Sequence, residues 1–144
     1  MNKKIKILYL PGSTYPPKQA TKGSAGWDLF SPETVILKPN EVTFIKLRFC
    51  LQIPEGYYIS IVPRSSMGKR GIIIPNSPGT IYSDYTGEIM IMLVNINPDL
   101  DVQINNGDRI AQMILHKYHD MNFEVTDHFK NTDRGSGGFG STGK

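Results

Sequence analysis

Short apolar runs separated by turn residues dominate the chain, and helical periodicity is nearly absent. Several runs alternate apolar and polar positions in the manner of half-buried strands, as in residues 89–94 and 110–115. Ten prolines, together with glycine and asparagine between the runs, mark turns and argue against helices longer than one or two turns. The pattern predicts seven strands, over residues 4–10, 34–37, 41–49, 57–62, 72–74, 88–95 and 109–118.

Many short strands with regularly spaced turn signals predict an all-β fold, either a sandwich or a jelly roll. At 144 residues the chain forms one domain that is large enough for a hydrophobic core. One short helical turn is expected within residues 65–70. A small jelly roll has little concave surface, so a site that uses a distant segment of the chain is often placed where subunits meet. We therefore expect oligomerisation.

Charge and cysteine content indicate the cellular compartment and the kinds of binding partner that we expect. The formal net charge is +3, and the scattered basic residues have one local concentration, at Arg64, Lys69 and Arg70. A small phosphate-bearing ligand suits this distribution better than a nucleic acid, so no nucleic-acid partner is predicted. One cysteine excludes a disulfide framework and indicates a reducing compartment. No segment has the length of a signal peptide or a membrane span, so we expect a cytoplasmic protein with no membrane partner.

The last eleven residues, 134–144, form the most informative segment. Five of them are glycine, a composition that does not hold a fixed shape by itself. Arg134 could bind phosphate through its planar fork, and Ser141 and Thr142 could donate hydrogen bonds to it. Phe139 could cover a flat base. The segment is therefore interpreted as a lid over a nucleotide, with a frayed glycine-rich terminus as the alternative from composition alone.

Two upstream segments contain candidate metal and phosphate ligands. Asp28 follows small residues at the start of an expected strand, where it could hold Mg²⁺ through the ion's waters or could cap a turn. Arg64 precedes Ser65 and Ser66 at the expected start of the helical turn. Free N–H groups and hydroxyls at such a position can bind phosphate, although serine is also favoured there as an ordinary helix cap.

Two further segments contain polar or aromatic residues suited to a nucleoside. Asn76 offers a donor and an acceptor, which complements the edge of uracil. Tyr85 could form a wall against a sugar that leaves no room for a 2′-hydroxyl, or it could be a packed hairpin tyrosine. Gln112 interrupts an apolar strand pattern and therefore needs a polar partner. The three histidines lack a metal-ligand pattern and are expected to face solvent: His116, His119 and His128.

Taken in order along the chain, these segments resemble the five motifs of the trimeric deoxyuridine triphosphatase (dUTPase) family. The resemblance covers nearly the whole chain and is carried by residues 25–29, 63–66, 76–89, 107–112 and 134–143. It implies a β jelly roll, a homotrimer and three active sites at subunit interfaces. We accordingly expect a β domain over residues 1–133 and a flexible lid over residues 134–144 that completes the site.

The resemblance also implies a reaction and residue roles. The reaction is Mg²⁺-dependent hydrolysis of dUTP to dUMP and pyrophosphate, with water attacking the α-phosphorus. Asp28 would orient magnesium-bound water, and the phosphate chain would be held by Arg64, Ser65, Ser66 and Gln112. Uracil would be read by Asn76 and by the backbone near Gly79 and Met90, while Tyr85 would exclude ribose. Phe139 would lie over uracil, and the other substrate-binding residues of the lid would be Arg134, Gly140, Ser141 and Thr142.

One departure from the family pattern affects the chemistry. The pattern is Gly-x-Ile-Asp-x-Asp-Tyr, and its first Asp activates the attacking water, whereas this chain has Tyr82 at that position. An ordinary carboxylate is ionised at neutral pH and accepts a proton, while an ordinary phenol is not ionised. Asp84 would be about 7 Å further along an extended strand, too far to substitute unless the turn is bent. We therefore hypothesise that the chain, whether Tyr82 is natural or introduced, binds dUTP and Mg²⁺ but hydrolyses slowly.

Two other functions remain open from the sequence. The first is a catalytically weakened dUTP-binding sensor that docks on a regulatory protein partner, because the binding residues are present where the base is missing. The second is a dCTP deaminase, which shares the jelly roll and would use a catalytic glutamate near the base. Glu88 is the available acid for that role, but the complete glycine-rich tail belongs with the triphosphatase pattern.

Overall fold

The computed structural model describes residues 2–12 and 15–143, and this part of the chain is almost entirely β-structure. One short helix, α1 (Ser65–Lys69), follows the sixth strand. The strands are β1 (Lys6–Tyr9), β2 (Lys18–Gln19), β3 (Trp27–Phe30), β4 (Val35–Leu37), β5 (Val42–Gln52), β6 (Tyr57–Val62), β7 (Ile72–Ile73), β8 (Gly79–Ile81), β9 (Glu88–Asn95), β10 (Val102–Ile104) and β11 (Arg109–Lys117).

The strands form two antiparallel sheets and a small ribbon. The four-stranded sheet has the order β1-β5-β9-β7, the five-stranded sheet has the order β2-β3-β11-β6-β8, and β10 pairs with β4. Alternate residues of β5 and β9 are buried, and they join inward-facing residues of β6 and β11 in one hydrophobic cluster. The predicted all-β class is confirmed, and the core lies between the two sheets.

The predicted strands all occur, with altered ends. Residues 57–62 and 88–95 match their predictions, while the strand predicted at 41–49 continues to Gln52. The sequence pattern did not predict β2, β8 or β10, which have two or three residues each. Strands this short contain less than two full periods of alternation, so their formation depends on pairing with a longer neighbour.

One histidine departs from the prediction that all three face solvent. His116 is half-buried, stacks on the Tyr58 ring at a centroid distance of 4.9 Å, and shares a hydrogen bond of 2.8 Å with the buried Ser60 hydroxyl. The prediction was wrong for His116 because β11 is a central strand, and its side chains pack against those of β6. His119 and His128 are exposed.

The chain leaves the two sheets after β11. We call residues 119–143 the arm; nearly all of them are exposed, and only Gly137 and Gly138 are half-buried. Five apolar side chains of the arm are more than four-fifths exposed: Met121, Phe123, Val125, Phe129 and Phe139. Within the part of the chain that the structure describes, no helix is long and apolar enough to cross a membrane.

Candidate functional site

The strand register of the five-stranded sheet brings three separate sequence segments together. Gln112 on β11 pairs with Asp28 on β3 on one side and with Val62, the last residue of β6, on the other. Arg64 lies two residues after the end of β6, and its side chain reaches Asp28. We call Asp28, Arg64, Arg109 and Gln112 the phosphate cluster.

Two arginines converge on one buried carboxylate in the phosphate cluster. Asp28 is only 7% exposed, and its Oδ1 lies 3.0 Å from Arg64 Nε. Arg109 Nη1 lies 3.5 Å from Asp28 Oδ2. Because two guanidinium groups share one carboxylate, the cluster carries a net positive charge and favours an anion. Arg109 had no role assigned from the sequence, although it lies in the segment 107–112, three residues before Gln112.

Gln112 has the polar partner that its position in the sequence required. Its Nε2 donates a hydrogen bond to the Pro63 carbonyl at 3.1 Å. A Cβ atom at Gly26 would lie 2.3 Å from Gln112 Oε1, so the backbone at Gly26 leaves the space that the amide occupies. The glycine before Trp27 therefore has a packing role that the sequence did not reveal.

The two serines of the central turn are not used as helix caps. Arg64 is the N-cap residue of α1, and no side chain makes a capping hydrogen bond there. Ser65 and Ser66 are both exposed, and Arg64 Nη1 donates to the Ser66 Oγ at 3.3 Å. The alternative of an ordinary serine cap is therefore wrong, and both hydroxyls remain accessible beside the phosphate cluster.

A second group of predicted site residues lies in the segment 76–90, which connects β8 of the five-stranded sheet to β9 of the four-stranded sheet. Gly79 is buried and pairs with Ile61 on β6, and Asn76 Nδ2 lies 3.3 Å from the place of a Cβ at Gly79. Tyr85 is partly exposed, and its Oη donates to the Glu88 carbonyl at 2.9 Å. Met90 is also partly exposed, on β9 of the other sheet.

Tyr82 directly follows β8 in this segment, away from the phosphate cluster of the same chain. The Tyr85 N–H donates to the Tyr82 carbonyl at 3.1 Å, so residues 82–85 form a turn. The Tyr82 side chain is 63% exposed. It lines a surface cleft of about 810 Å³ that is rich in tyrosine and is bounded by Gln52, Ile53, Glu55, Tyr57, Tyr58, Thr80, Ser83, Asp84 and Tyr118.

The predicted lid residues form successive tight turns. Backbone N–H groups of Gly137, Ser141 and Gly143 each donate to the carbonyl three residues earlier. Phe139 has a positive φ of 53°, and its side chain is fully exposed. Arg134, Gly140, Ser141 and Thr142 are also exposed. The structure thus leaves the lid residues accessible and does not bring them to the phosphate cluster of their own chain.

A metal ion at this site would depend on few protein ligands. The described residues contain no group of three or more His, Cys, Asp or Glu side chains that could hold a metal ion. Asp28 is the carboxylate within the phosphate cluster. Mg²⁺ commonly binds through one or two carboxylates, several waters and the phosphates of a substrate, and this donor set fits that mode rather than an all-protein cage.

A family profile and individual sequence relatives identify the same family. The dUTPase family profile matches residues 14–143. A deoxyuridine 5′-triphosphate nucleotidohydrolase of Zymomonas mobilis is 46% identical over 147 residues, which cover 99% of each chain. The enzyme of that name from Helicobacter pylori strain Shi470 is 40% identical over 141 residues, or 97% of each chain.

Solved structures agree with the sequence relatives. The dUTPase of Staphylococcus bacteriophage 80alpha, solved with dUpNHpp, is 26% identical with a TM-score of 0.87, over 99% of this chain and 100% of that chain. A mutant dUTPase from phage phi11 of S. aureus, solved with details of the coordination of a structural Mg(II) ion, is 25% identical. Its TM-score is 0.79, over 88% of this chain and 99% of that chain.

Proposed function

The chain belongs to the dUTPase family, and we propose that it hydrolyses dUTP to dUMP and pyrophosphate slowly, at a site completed by other copies of the chain. The observation that carries this proposal is the phosphate cluster, in which two arginines and an amide are already oriented around one buried carboxylate. Such a preorganised anion site suits a triphosphate.

The phosphate chain would be held by Arg64, Ser65, Ser66 and Gln112. Asp28 binds the Arg64 guanidinium through Nε and leaves N–H groups on its other nitrogens for phosphate oxygens. The two exposed serine hydroxyls add donors beside it. Each of these groups is fixed by the protein before the ligand arrives, which reduces the ordering entropy that binding must overcome.

The segment 76–90 would read the nucleoside. Asn76 lies beside Gly79, where a Cβ would be 3.3 Å from the Asn76 Nδ2, so the absence of a side chain at Gly79 leaves room for the Asn76 amide that would contact uracil. The Tyr85 ring lies against Gly87, since a Cβ at Gly87 would be 2.7 Å from Tyr85 Oη. A ring fixed in this way can form a rigid wall against deoxyribose and exclude a 2′-hydroxyl.

The strand register supports a site shared between chains. Tyr82 follows Ile81, and Ile81 pairs with Ile59 on β6. Val62, which pairs with Gln112, lies three residues further along β6 than Ile59. A separation of four strand residues places Tyr82 about 13 Å from the row of Asp28, Gln112 and Val62. A general base acts within about 3 Å of the proton that it takes. Within one chain, the side chain at position 82 is thus too far from the phosphate cluster to act on the same α-phosphate. In one active site, the two would therefore come from different copies of the chain.

The arm supports the same arrangement. Its apolar side chains are exposed in the single chain, where exposure to water is unfavourable. Fully extended, residues 119–143 would span about 80 Å, enough to reach a second copy. The edge strand β1 also presents exposed apolar residues, Ile7, Leu8 and Tyr9. We propose a homotrimer in which Phe139 of the lid covers uracil and Arg134, Ser141 and Thr142 bind the γ-phosphate.

Mg²⁺ would bind to the phosphate oxygens, with Asp28 as the carboxylate that orients its waters. The ion would supply charge neutralisation for the triphosphate. In the reaction, a water oxygen bonds to the α-phosphorus while the bond from that phosphorus to the bridging oxygen breaks, and pyrophosphate leaves with the electron pair. Arg64 and Gln112 would hold the phosphates in line for this attack.

Tyr82 would slow the reaction because a neutral phenol takes the place of a carboxylate that accepts the water proton. General-base assistance contributes about 10²–10⁴ in rate. We therefore expect the Tyr82→Asp variant to turn over dUTP faster than the unmodified chain, by a factor no larger than this. Steady-state release of pyrophosphate, measured with Mg²⁺ for both proteins, tests this.

The matched control is Tyr82→Phe, which removes the phenol oxygen without adding a carboxylate and should leave turnover slow. Titration calorimetry with dUpNHpp should give similar affinities for all three proteins, because the phosphate and uracil contacts are unchanged. Equal, fast turnover by the unmodified chain and Tyr82→Asp would contradict the assigned defect. Tight binding of dUpNHpp without measurable turnover by the unmodified chain would instead favour the dUTP-binding sensor.

A further inference from the structure

We propose that Asp84 is the catalytic base of this chain and replaces the carboxylate that is missing at position 82. The inference rests on the proposed hydrolysis of dUTP and deepens it by naming the group that accepts the proton of the attacking water. On an extended strand, Asp84 would lie too far from position 82 to replace its side chain. The observed backbone is not extended there.

The backbone of residues 82–85 is bent rather than extended. The hydrogen bond of 3.1 Å from the Tyr85 N–H to the Tyr82 carbonyl closes a four-residue turn. In a β-turn the Cα atoms of the first and fourth residues approach within about 7 Å, so the third residue no longer lies a full two-residue step along a strand. Asp84 is that third residue, so it lies closer to position 82 than it would on an extended strand. The bend that Asp84 needs in order to replace a carboxylate at position 82 is therefore present.

The turn is fixed at the end that would contact the sugar. Tyr85 follows Asp84 directly, and its Oη donates to the Glu88 carbonyl at 2.9 Å. The ring is further held against Gly87, where a Cβ would lie 2.9 Å from Tyr85 Cζ. Because the Tyr85 side chain is anchored by both contacts, the turn that contains Asp84 is held in place. If Tyr85 forms the sugar wall as proposed above, Asp84 would lie beside the same nucleotide.

Asp84 faces the same cleft as Tyr82. Both side chains line the cleft of about 810 Å³, with Ser83 between them. Asp84 is exposed, and no ion pair to it occurs within residues 2–12 and 15–143. Its carboxylate is therefore available to accept a hydrogen bond from water.

The other acids near the segment 76–90 are engaged or lie elsewhere. Glu88 Oε2 accepts a hydrogen bond from the Arg48 N–H at 3.1 Å. Asp28 binds Arg64 and Arg109. Glu55 lines the cleft but belongs to the turn before β6. Asp84 is thus the acid within the segment 76–90 whose side chain is free for catalysis.

The step that we assign to Asp84 is a proton transfer. One water O–H bond breaks and its proton passes to an Asp84 carboxylate oxygen, while the water oxygen forms a bond to the α-phosphorus. The bond between that phosphorus and the oxygen that bridges to the β-phosphorus breaks, and pyrophosphate departs with the electron pair. The proton then leaves Asp84 for bulk water, so the carboxylate is regenerated.

A double-mutant cycle tests the assignment. Turnover of dUTP is measured for the unmodified chain and for Tyr82→Asp, each with and without Asp84→Asn. In the unmodified chain we expect Asp84→Asn to reduce kcat by at least about 30-fold, within the range of general-base assistance. In the Tyr82→Asp background the restored carboxylate carries the proton transfer, and we expect a reduction of no more than about threefold.

Three readouts separate catalysis from structure. Asp84→Asn should bind dUpNHpp within about threefold of the unmodified chain, because the substitution preserves the shape of the side chain. Asp84→Glu should retain more turnover than Asp84→Asn, since it keeps a carboxylate. Asp101→Asn, which removes one exposed carboxylate before β10, is the matched control and should leave turnover unchanged.

The outcomes are distinguishable. Equal losses from Asp84→Asn in both backgrounds would show a structural role and overturn the inference, as would no loss in either background. Loss of dUpNHpp binding in parallel with turnover would also overturn it. Absence of turnover in all variants, including Tyr82→Asp, would refute the proposed hydrolysis itself and the assignment of Asp84 with it.

Discussion

The phosphate cluster and the arm are built in opposite ways, although both belong to the same proposed site. In the cluster, Asp28 is buried, Arg64 is held by an ion pair of 3.0 Å, and Gln112 is hydrogen-bonded to the Pro63 carbonyl. In the arm, nearly every residue is exposed, and the lid residues 134–143 bond chiefly among themselves. One region is ordered by folding, and the other remains to be ordered by a partner and a ligand.

The difference suits two roles, binding of the triphosphate by the cluster and closure of the site by the arm. The cluster loses its conformational entropy when the chain folds, so it can bind a triphosphate without further ordering. On the proposed function, the arm would lose entropy only on closing, which suits a segment that would open to release dUMP and pyrophosphate. Substitutions in the cluster should therefore change both stability and affinity, whereas changes to the lid should affect activity alone.

The largest expected effect is that of removing the lid. Deletion of residues 134–144 removes Arg134, Phe139, Ser141 and Thr142 together, and we expect kcat/KM for dUTP to fall by about 10³ because several contacts made on closure are lost. The midpoint of thermal unfolding should change little, since residues 134–143 are mostly exposed. Pyrophosphate release and thermal unfolding at one fixed protein concentration provide the measurements.

Mixing tests whether the lid acts on another copy. The deleted chain and an Arg64→Ala chain, both in the Tyr82→Asp background, are co-refolded, and some hybrid sites should combine an intact cluster with an intact lid. Recovered turnover supports a site shared between copies. No gain over the separate inactive proteins, despite verified hybrid assemblies, would contradict it.

A smaller effect is expected from adding one methyl group to the cluster. In Gly26→Ala the new Cβ would lie 2.3 Å from Gln112 Oε1, so the amide must move and its bond to the Pro63 carbonyl is weakened. We expect dUpNHpp affinity to fall by about 10–100-fold, the value of one or two charge-assisted hydrogen bonds.

Gly23→Ala is the matched control, because nothing lies within 4 Å of a Cβ at Gly23. Calorimetric titration with dUpNHpp should give the same affinity for Gly23→Ala as for the unmodified chain. Equal affinity for Gly26→Ala would show that the Gln112 amide does not contact the phosphates.

The smallest expected effect is on stability. Asp28→Asn keeps the side-chain shape but leaves Arg64 and Arg109 without their shared counter-charge, and we expect the free energy of unfolding to fall by about 1–2 kcal/mol. The estimate stays low because both arginines are partly exposed. Urea unfolding at one protein concentration measures it.

Asp133→Asn, an equivalent change at an exposed position of the arm, should leave the free energy of unfolding within a few tenths of a kcal/mol of the unmodified value. Equal destabilisation by the two substitutions would remove the distinction between a region ordered by folding and one that is not.

The sequence predicted many of the site residues because their chemistry is local. Arg64 with its two serines, Asn76, Tyr85 and Gln112 occur in short motifs whose order identifies the family. Arg109 and Gly26 were not assigned because their roles depend on strands that are distant in sequence. Arg109 meets Asp28 across a β-bulge, and Gly26 faces Gln112 through the pairing of β3 with β11.

The bend at residues 82–85 could not be predicted from the alternation of side chains. A strand extended through Tyr82 and Asp84 and a turn at the same place fit the sequence equally well, because the segment contains neither glycine nor proline. The hydrogen bond between Tyr85 and Tyr82, in the connection from β8 to β9, decides between them. The availability of Asp84 follows from that decision.

The amino-acid sequence by itself determined the all-β class, most strand positions and the family, because each depends on residue type and short-range spacing. Only the tertiary structure decided which residues meet: Asp28 with Arg64 and Arg109, Gln112 with Pro63, and Tyr82 with Asp84 in one cleft. The physical reason is that antiparallel pairing joins residues through register, and register depends on the packing of the whole sheet rather than on any single segment.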